Sequence, residues 1–356
     1  MVHEHNGVQC HGHSHAHGSP SAGPMPAVAA PEALGGVVYD YAKWVRYGMI
    51  FGALYWWTEG GILTYILYGT VFFLGMLYMQ QTTLLYAANH PQIPRRPDQI
   101  PPQYKMSSPA QYNLRFEDVY IKCPDGEVIH SWLILQPGEA SKSAATVVYF
   151  HGNAGNIGMR LPLYNDMCDR CKVNVMAVEY RGYGNSSGKP SEEGLQMDAD
   201  AALSWLLTEC DKVDRSKIFL FGRSLGGAVA TWLASKHADR GLFKGLILEN
   251  TFSSIGELAL KLFPLLKLFR FLLPVLLKNK WDSEVEMRKV KAPVLFLAGM
   301  KDAMIPNAHM RALYDASGAN SAKRIFKEFP EGGHNDTPIK HKEEYNKVLV
   351  DFLKEN

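Results

Sequence analysis

The segment FGRSLGGAVATW (221–232) constrains the fold most strongly. The run KIFLFG (217–222) before it reads as a buried strand, and GGAVATWLASKHA (226–238) after it reads as a helix. Between them stands Gly222-Arg223-Ser224-Leu225-Gly226. G-x-S-x-G joining a strand directly to a helix is the sequence form of a nucleophile elbow, a turn so sharp that the serine hydroxyl stands at its tip. Glycine is expected at 222 and 226 because a Cβ on either side would clash, and the helix N-terminus behind Ser224 favours negative charge. The alternative is a plain glycine-rich turn. The two readings part on whether a base and an acid follow.

A serine hydroxyl is a poor nucleophile at neutral pH without such partners. After the strand-like APVLFLAG comes MKDAMIP with Asp302, and after RIFKEFP comes EGGHND with His334. The order Ser, Asp, His is the one that accompanies an elbow of this type. His334 is the expected base for Ser224, and Asp302 is expected to fix its tautomer and stabilise its cation. Glu249, at the end of GLILEN, is the alternative acid; Asp302 is preferred because it lies just beyond a strand beside the histidine loop. Oxyanion donors are expected from the backbone NH groups of Leu225 and Asn153, the latter in YFHGNAGN (149–156). His151 is read as structural, and EYRGYGNSSG (179–188) as a loop that packs near the site.

Eight strand-like runs can be counted: RFEDVYIK, VIHSWLILQ, ATVVYF, NVMAVEY, KIFLFG, GLILEN, APVLFLAG and RIFKEF, with helical stretches between the later ones. Several are continuous apolar runs, as in a parallel sheet covered on both faces. The expected architecture is α/β: a doubly wound, mostly parallel sheet carrying a short helical cap and preceded by a transmembrane helix, with the globular domain at 110–356 and the cap at about 254–281.

The N-terminal part is different in kind. Residues 1–35 are rich in His, Gly, Pro and Ala without hydrophobic periodicity and are expected to be disordered. Their clustered histidines and Cys10 read as a polar tail that binds metal only opportunistically, since no folded spacing fixes a geometry. No signal-peptide pattern is expected at the start. Residues 44–86 read as a membrane anchor whose span is ILTYILYGTVFFLGMLYM (62–79), 18 residues without a charge. The shorter run YGMIFGALYWW stops at Glu59, which is placed at the interface with Trp56 and Trp57 as anchors. Lys43 and Arg46 on one side balance Arg95 and Arg96 on the other, so orientation is open. Residues 91–109 read as a proline-rich linker. The sequons at Asn185 and Asn335 matter only if the domain is lumenal.

Charge excludes little but is informative: 37 basic against 35 acidic residues give +2, so no field favours nucleic acid. Five cysteines form no disulfide framework, and the CxxC of Cys168 and Cys171, with no second pair nearby, is read as helix surface rather than a metal site. Neither a metal nor another cofactor is expected.

FHGNAGN, EYRGYGNSSGKPSEEGL, GRSLGGAVA, LENTFSSI and GGHNDT together resemble the alpha/beta hydrolase domain-containing protein 13 and Bem46-like family of membrane-anchored serine hydrolases, from about residue 80 to the C-terminus. The resemblance implies an α/β-hydrolase fold, a triad of Ser224, Asp302 and His334, a single-pass anchor, and lipid-modified protein or lipid ester as substrate. The segment LALKLFPLLKLFRFLLPVLLKNKW (258–281) sits where such enzymes insert a cap; its apolar run with spaced Lys and Arg suits an acyl-chain channel or a bilayer surface, or a helix pair packed on the core. The expected function is therefore hydrolysis of acyl esters or thioesters at a membrane, depalmitoylation of protein first. A lysophospholipase or monoacylglycerol lipase, a non-catalytic membrane-bound scaffold and a peptidase are the alternatives.

Overall fold

The computed structural model describes residues 46–53, 61–88, 93–321 and 323–356. The His-rich tail, Trp56, Trp57 and Glu59 lie outside the described residues.

Eight strands form one sheet: β1 (Arg115–Lys122), β2 (Val128–Leu135), β3 (Thr146–Phe150), β4 (Asn174–Glu179), β5 (Ile218–Arg223), β6 (Phe243–Glu249), β7 (Val294–Gly299) and β8 (Arg324–Phe329). Their spatial order is β1-β2-β4-β3-β5-β6-β7-β8. The pairs β1/β2 and β2/β4 are antiparallel, and every later pair is parallel. This is the α/β-hydrolase fold. Strands β3 to β7 are apolar almost throughout because both faces are covered: Val148, Phe150, Leu220 and Leu248 face one core, Val147, Tyr149, Phe221 and Ile247 the other. The chain leaves β3 toward β4 on one side and places β5 on the other, so the crevice at the carboxyl ends of β3 and β5 is a topological switch point, where ligands bind in open α/β sheets.

The CxxC is not on a surface. Cys168 and Cys171 lie in a π-helical turn, Met167–Cys171, whose wider winding turns both sulfurs inward among Tyr164, Val173 and Leu349. Burial pushes their thiols up, to about 12 and about 11, so they are inert at neutral pH. The segment 93–109 is also laid on the domain rather than held free: Ile100 and Met106 are buried, and Asn156 donates to the carbonyls of Pro94 and Arg95 at 3.0 and 3.2 Å.

The apolar helix Ile62–Leu85 carries no charged residue and has no buried residue along its length. Phe51, in the helical stretch 46–53, meets its Tyr68 and Phe72 edge-on. By length and composition it is able to cross a membrane. Its end is fixed to the domain by polar bonds: Trp281 Nε1 donates to Tyr86 Oη at 3.0 Å, and Tyr86 Oη donates to Asn279 Oδ1 at 2.9 Å. The cap follows β6 as a helix at Ile255–Leu262, a 3₁₀ stretch at Pro264–Leu272 and a short helix at Leu273–Leu276. Pro264 and Pro274 each open a new short element because proline cannot donate within a continuing helix.

Candidate active site

Strand β5 delivers Ser224 at φ 53°, ψ −123°, a conformation that costs a non-glycine residue about 1–3 kcal/mol. The surroundings enforce it. A Cβ at Gly222 would overlap the Gly226 carbonyl, and one at Gly226 would overlap the Phe150 carbonyl, so glycine alone lets β3, β5 and the elbow helix Leu225–Lys236 close together. Ser224 NH donates to the Glu249 carbonyl at 2.9 Å, and Thr251 Oγ1 donates to the Ser224 carbonyl at 2.7 Å.

The three side chains picked out in sequence meet. His334 Nε2 lies 3.2 Å from Ser224 Oγ, and His334 Nδ1 lies 2.7 Å from Asp302 Oδ2. The other Asp302 oxygen, Oδ1, accepts from the NH groups of Met304 and Ile305 at 2.9 and 2.8 Å. Those two donors hold the carboxylate so that only Oδ2 faces the imidazole. Because Oδ2 can only accept, Nδ1 carries a proton and Nε2 presents its lone pair to the serine.

Glu249, the alternative acid, is elsewhere. It is fully buried, accepts from Tyr345 Oη at 2.7 Å, and faces Arg223 Nε at 3.6 Å. Burial and then the Glu249 charge push the Tyr345 hydroxyl well up, so it remains a donor. Burial opposes the Arg223 charge, but Glu249 and its other neighbours outweigh it and its pKa is raised. Arg223 Nη2 in turn donates to the His334 carbonyl at 2.6 Å and to Asn335 Oδ1 at 2.8 Å. Thus the variable residue of the elbow clamps the loop that carries His334, a role the motif alone does not signal. Asn250 adds a second clamp: its Nδ2 donates to Gly333 O at 3.1 Å while its Oδ1 accepts from Gly299 NH at 2.8 Å, tying the histidine loop to the end of β7. Asn335 borders the cavity, whereas Asn185 is exposed; a glycan on Asn335 would fill the cavity mouth.

The loop after β3 is held from three sides. Tyr180 Oη donates to His151 O, and Tyr183 Oη to Asn153 O, both at 2.9 Å. Ala87 NH, just past the apolar helix, also donates to Asn153 O at 3.0 Å. His151 is enclosed between the Tyr180 and Tyr183 rings, its Nδ1 donating to Gly152 O at 2.7 Å and its Nε2 facing Glu179 at 3.3 Å. The tyrosines of EYRGYGNSSG therefore position the loop. Among the described residues neither Asn153 NH nor Leu225 NH has a protein acceptor, and both residues line the cavity that Ser224 and His334 reach.

That cavity measures about 720 Å³. One arm is walled by the apolar helix (Leu74, Leu77, Leu84) and the cap (Leu258, Leu266, Leu273). Met106 of the 93–109 segment, Met159 and Arg160 line the cavity as well. Among the described residues no cluster of His, Cys, Asp or Glu forms a metal site.

Fold, elbow and switch-point crevice define the class: the chain is an α/β hydrolase. A family model described as the alpha/beta hydrolase fold matches residues 145–270. The chain is 40 % identical over 290 residues to protein bem46 of Schizosaccharomyces pombe, covering 81 % of this chain and 90 % of that protein. It is also 40 % identical to a protein titled an uncharacterized membrane protein of Saccharomyces cerevisiae, covering 70 % of this chain and 83 % of that one. Among solved structures, Pyrococcus furiosus esterase Pf2001 superposes with a TM-score of 0.56 at 20 % identity, over 70 % of this chain and 94 % of the esterase. The chain belongs to the Bem46-like family of alpha/beta hydrolase domain proteins.

Proposed function

We propose that this hydrolase is a membrane-anchored serine hydrolase that cleaves the ester or thioester bond of a long acyl chain, with acylated protein as substrate and depalmitoylation as the reaction. The observation that carries the reading is the Ser224–His334–Asp302 relay opening into a cavity of about 720 Å³ with a leucine-lined arm, a volume within the range of small-molecule sites.

Ser224 Oγ attacks the acyl carbonyl carbon while its proton passes to His334 Nε2, and the carbonyl electron pair moves onto oxygen. The NH groups of Asn153 and Leu225 receive that oxyanion, and Asp302 stabilises the imidazolium. Collapse breaks the carbon–sulfur or carbon–oxygen bond, and His334 returns the proton to the departing thiolate or alkoxide. Water, deprotonated by the same histidine, then releases the fatty acid and restores the serine hydroxyl. The uncharged 24-residue helix supports a single-pass anchor, as does the likeness to the membrane protein of Saccharomyces cerevisiae.

A lysophospholipase or monoacylglycerol lipase is the second reading. Arg160 favours its phospholipid form: it lines the cavity, donates to Ala154 O at 3.1 Å, and has no carboxylate partner among the described residues, so it suits an anionic head group.

The test is fluorophosphonate labelling of wild-type and Ser224→Ala protein in native membranes, followed by product analysis on a palmitoyl-thioester peptide and on lysophosphatidylcholine. Labelling confined to wild type and thioester turnover are expected. A wild type that resists the probe while correctly folded removes the serine-hydrolase reading; turnover of the lysolipid alone moves the second reading to the front.

A further inference from the structure

The cavity and the apolar helix are not separate features. Leu74 and Leu77 of the helix complete a small core with Leu260, Leu266 and Leu273 of the cap. Just beyond, Gln81 Nε2 donates to Leu276 O at 2.6 Å, and Gln81 Oε1 accepts from Lys278 NH at 2.8 Å. The cap is therefore held at a fixed height along the helix.

That height is readable from the sequence of the helix. Its run without strongly polar side chains ends at Met79, before Gln80 and Gln81, so 18 residues from Ile62 provide about 27 Å of rise, close to the ~30 Å hydrocarbon thickness. Gln81 then marks the boundary with the head groups. Leu77 stands about 6 Å and Leu74 about 10.5 Å inside it, by 1.5 Å per residue. Whatever packs on those two leucines shares their depth. It is the range, about 5–10 Å, at which in-plane amphipathic helices rest.

The cap's outer face agrees. Leu268, Phe271 and Val275 are 72, 76 and 79 % exposed, and none of them lines the cavity. Lys261 and Lys267, on the same segment, have no acidic partner among the described residues, and Lys278 lies over the Tyr78 ring at 4.1 Å. An apolar face fringed by unpaired cations complements an anionic leaflet.

Resting on the anchored-hydrolase reading, we infer that the cap is immersed in the leaflet that holds the apolar helix, and that the leucine-lined arm opens sideways between cap and helix. The substrate class follows: molecules whose acyl chain already lies in that leaflet, the chain sliding into the arm without crossing water while the bond to be cleaved arrives at Ser224.

The experiment uses the full chain in vesicles of phosphatidylcholine with one-fifth phosphatidylserine. The environment-sensitive fluorophore NBD is placed at Phe271→Cys, at Ile66→Cys within the helix, and at Lys347→Cys on the far side, with Cys10 replaced by serine and the other four cysteines buried. Shallow doxyl-lipid quenching is expected at 271, quenching is expected at 66, and none at 347. In parallel, Leu268→Glu with Phe271→Glu is expected to keep fluorophosphonate labelling and short soluble-ester hydrolysis within about twofold of wild type, but to lose tenfold or more of turnover on a vesicle-borne palmitoyl thioester. An unquenched 271 beside a quenched 66, or vesicle turnover unchanged in the double variant, overturns the inference. A loss of soluble-ester and vesicle turnover in equal measure also overturns it, because the effect is then on folding or chemistry. Failure of the hydrolase reading is a different result: wild type that takes no probe, whatever the quenching.

Discussion

Asp302→Asn tests the relay most sharply, because the structure predicts which way the new amide must face. Asp302 Oδ1 accepts two backbone NH groups, from Met304 and Ile305, while Oδ2 accepts from His334. An asparagine has one oxygen to distribute. Kept on the two NH donors, it turns its NH₂ toward His334 Nδ1, which must become an acceptor; the proton moves to Nε2, and the base now donates to Ser224 instead of accepting. Flipped to serve His334, it sets an NH₂ against two buried NH donors. Leaving each of those unsatisfied costs about 1–3 kcal/mol, so the flip is uphill by about 2–6 kcal/mol. At 1.36 kcal/mol per decade, the productive tautomer falls to between roughly one part in 30 and one part in 10⁴. Loss of the charge that stabilises the imidazolium lowers the rate further, and an acid-to-amide change in such a triad costs about 10⁴ in kcat. The expected loss in kcat on a chromogenic ester is therefore at least about 10²-fold, with near-native thermal unfolding, since the isostere keeps the two NH bonds. Asp302→Ala, which imposes no tautomer, is expected to be no worse in kcat, although less stable. An asparagine variant within tenfold of wild type, or Glu249→Gln with an equal loss in kcat, would refute the assignment of Asp302.

Arg223→Met removes both bonds to the histidine loop and leaves the Glu249 carboxylate buried with Tyr345 alone, which should cost about 3–5 kcal/mol of stability in a denaturant titration; Glu249→Gln added to it is expected to restore part of that loss but not the activity. Gly226→Ala forces β3 away from the elbow and parts the Asn153 and Leu225 amides, so kcat should fall by about 10² to 10³, the worth of one oxyanion donor, and a variant of native rate would show that the close approach is dispensable. His309 is held neutral chiefly by burial, its Nδ1 3.0 Å from Ser253 Oγ, with Glu257 and Asp302 favouring its charge and Lys261 opposing it. Its folded pKa lies below the ordinary histidine value of 6.5, so the unfolded chain binds the proton first and stability falls as pH drops below about 6.5; thermal unfolding at pH 7.5 and 5.5 should show a larger decline in wild type than in His309→Gln.

The central strands β3 to β7 were legible because buried parallel strands leave continuous apolar runs bounded by turns, a pattern that needs no knowledge of partners. The elbow was legible for a similar reason, since glycine at 222 and 226 records a backbone approach and not a side-chain contact. The supports of the site were not. Arg223 reaches His334 across 111 residues, and Asn250 reaches Gly333 across 83. Each is a side chain bonding a distant carbonyl, and such bonds impose no period on the sequence. The CxxC misled for a different reason: nothing local distinguishes a π-helical turn facing the core from an α-helical turn facing water. In the 93–109 segment the prolines correctly signalled interrupted structure, but the two apolar residues that bind it to the domain, Ile100 and Met106, are too few to show a pattern.

The join between the apolar helix and the domain is where these strands of reasoning converge. A tether need only be long and apolar; it has no reason to meet the oxyanion loop. Yet Ala87, two residues past the helix, bonds the Asn153 carbonyl, which also accepts from Tyr183, so the connection holds the loop on which the Asn153 NH stands. One residue earlier, Tyr86 joins Trp281 and Asn279 at the end of the cap. The two walls of the leucine-lined arm and the loop that carries Asn153, a proposed oxyanion donor, are thus held by consecutive residues of a single connection. On the proposed reading, a displacement of the helix against the domain would move the leucine-lined wall and the Asn153 loop together, which would couple the entry of an acyl chain to the electrostatics that await its carbonyl.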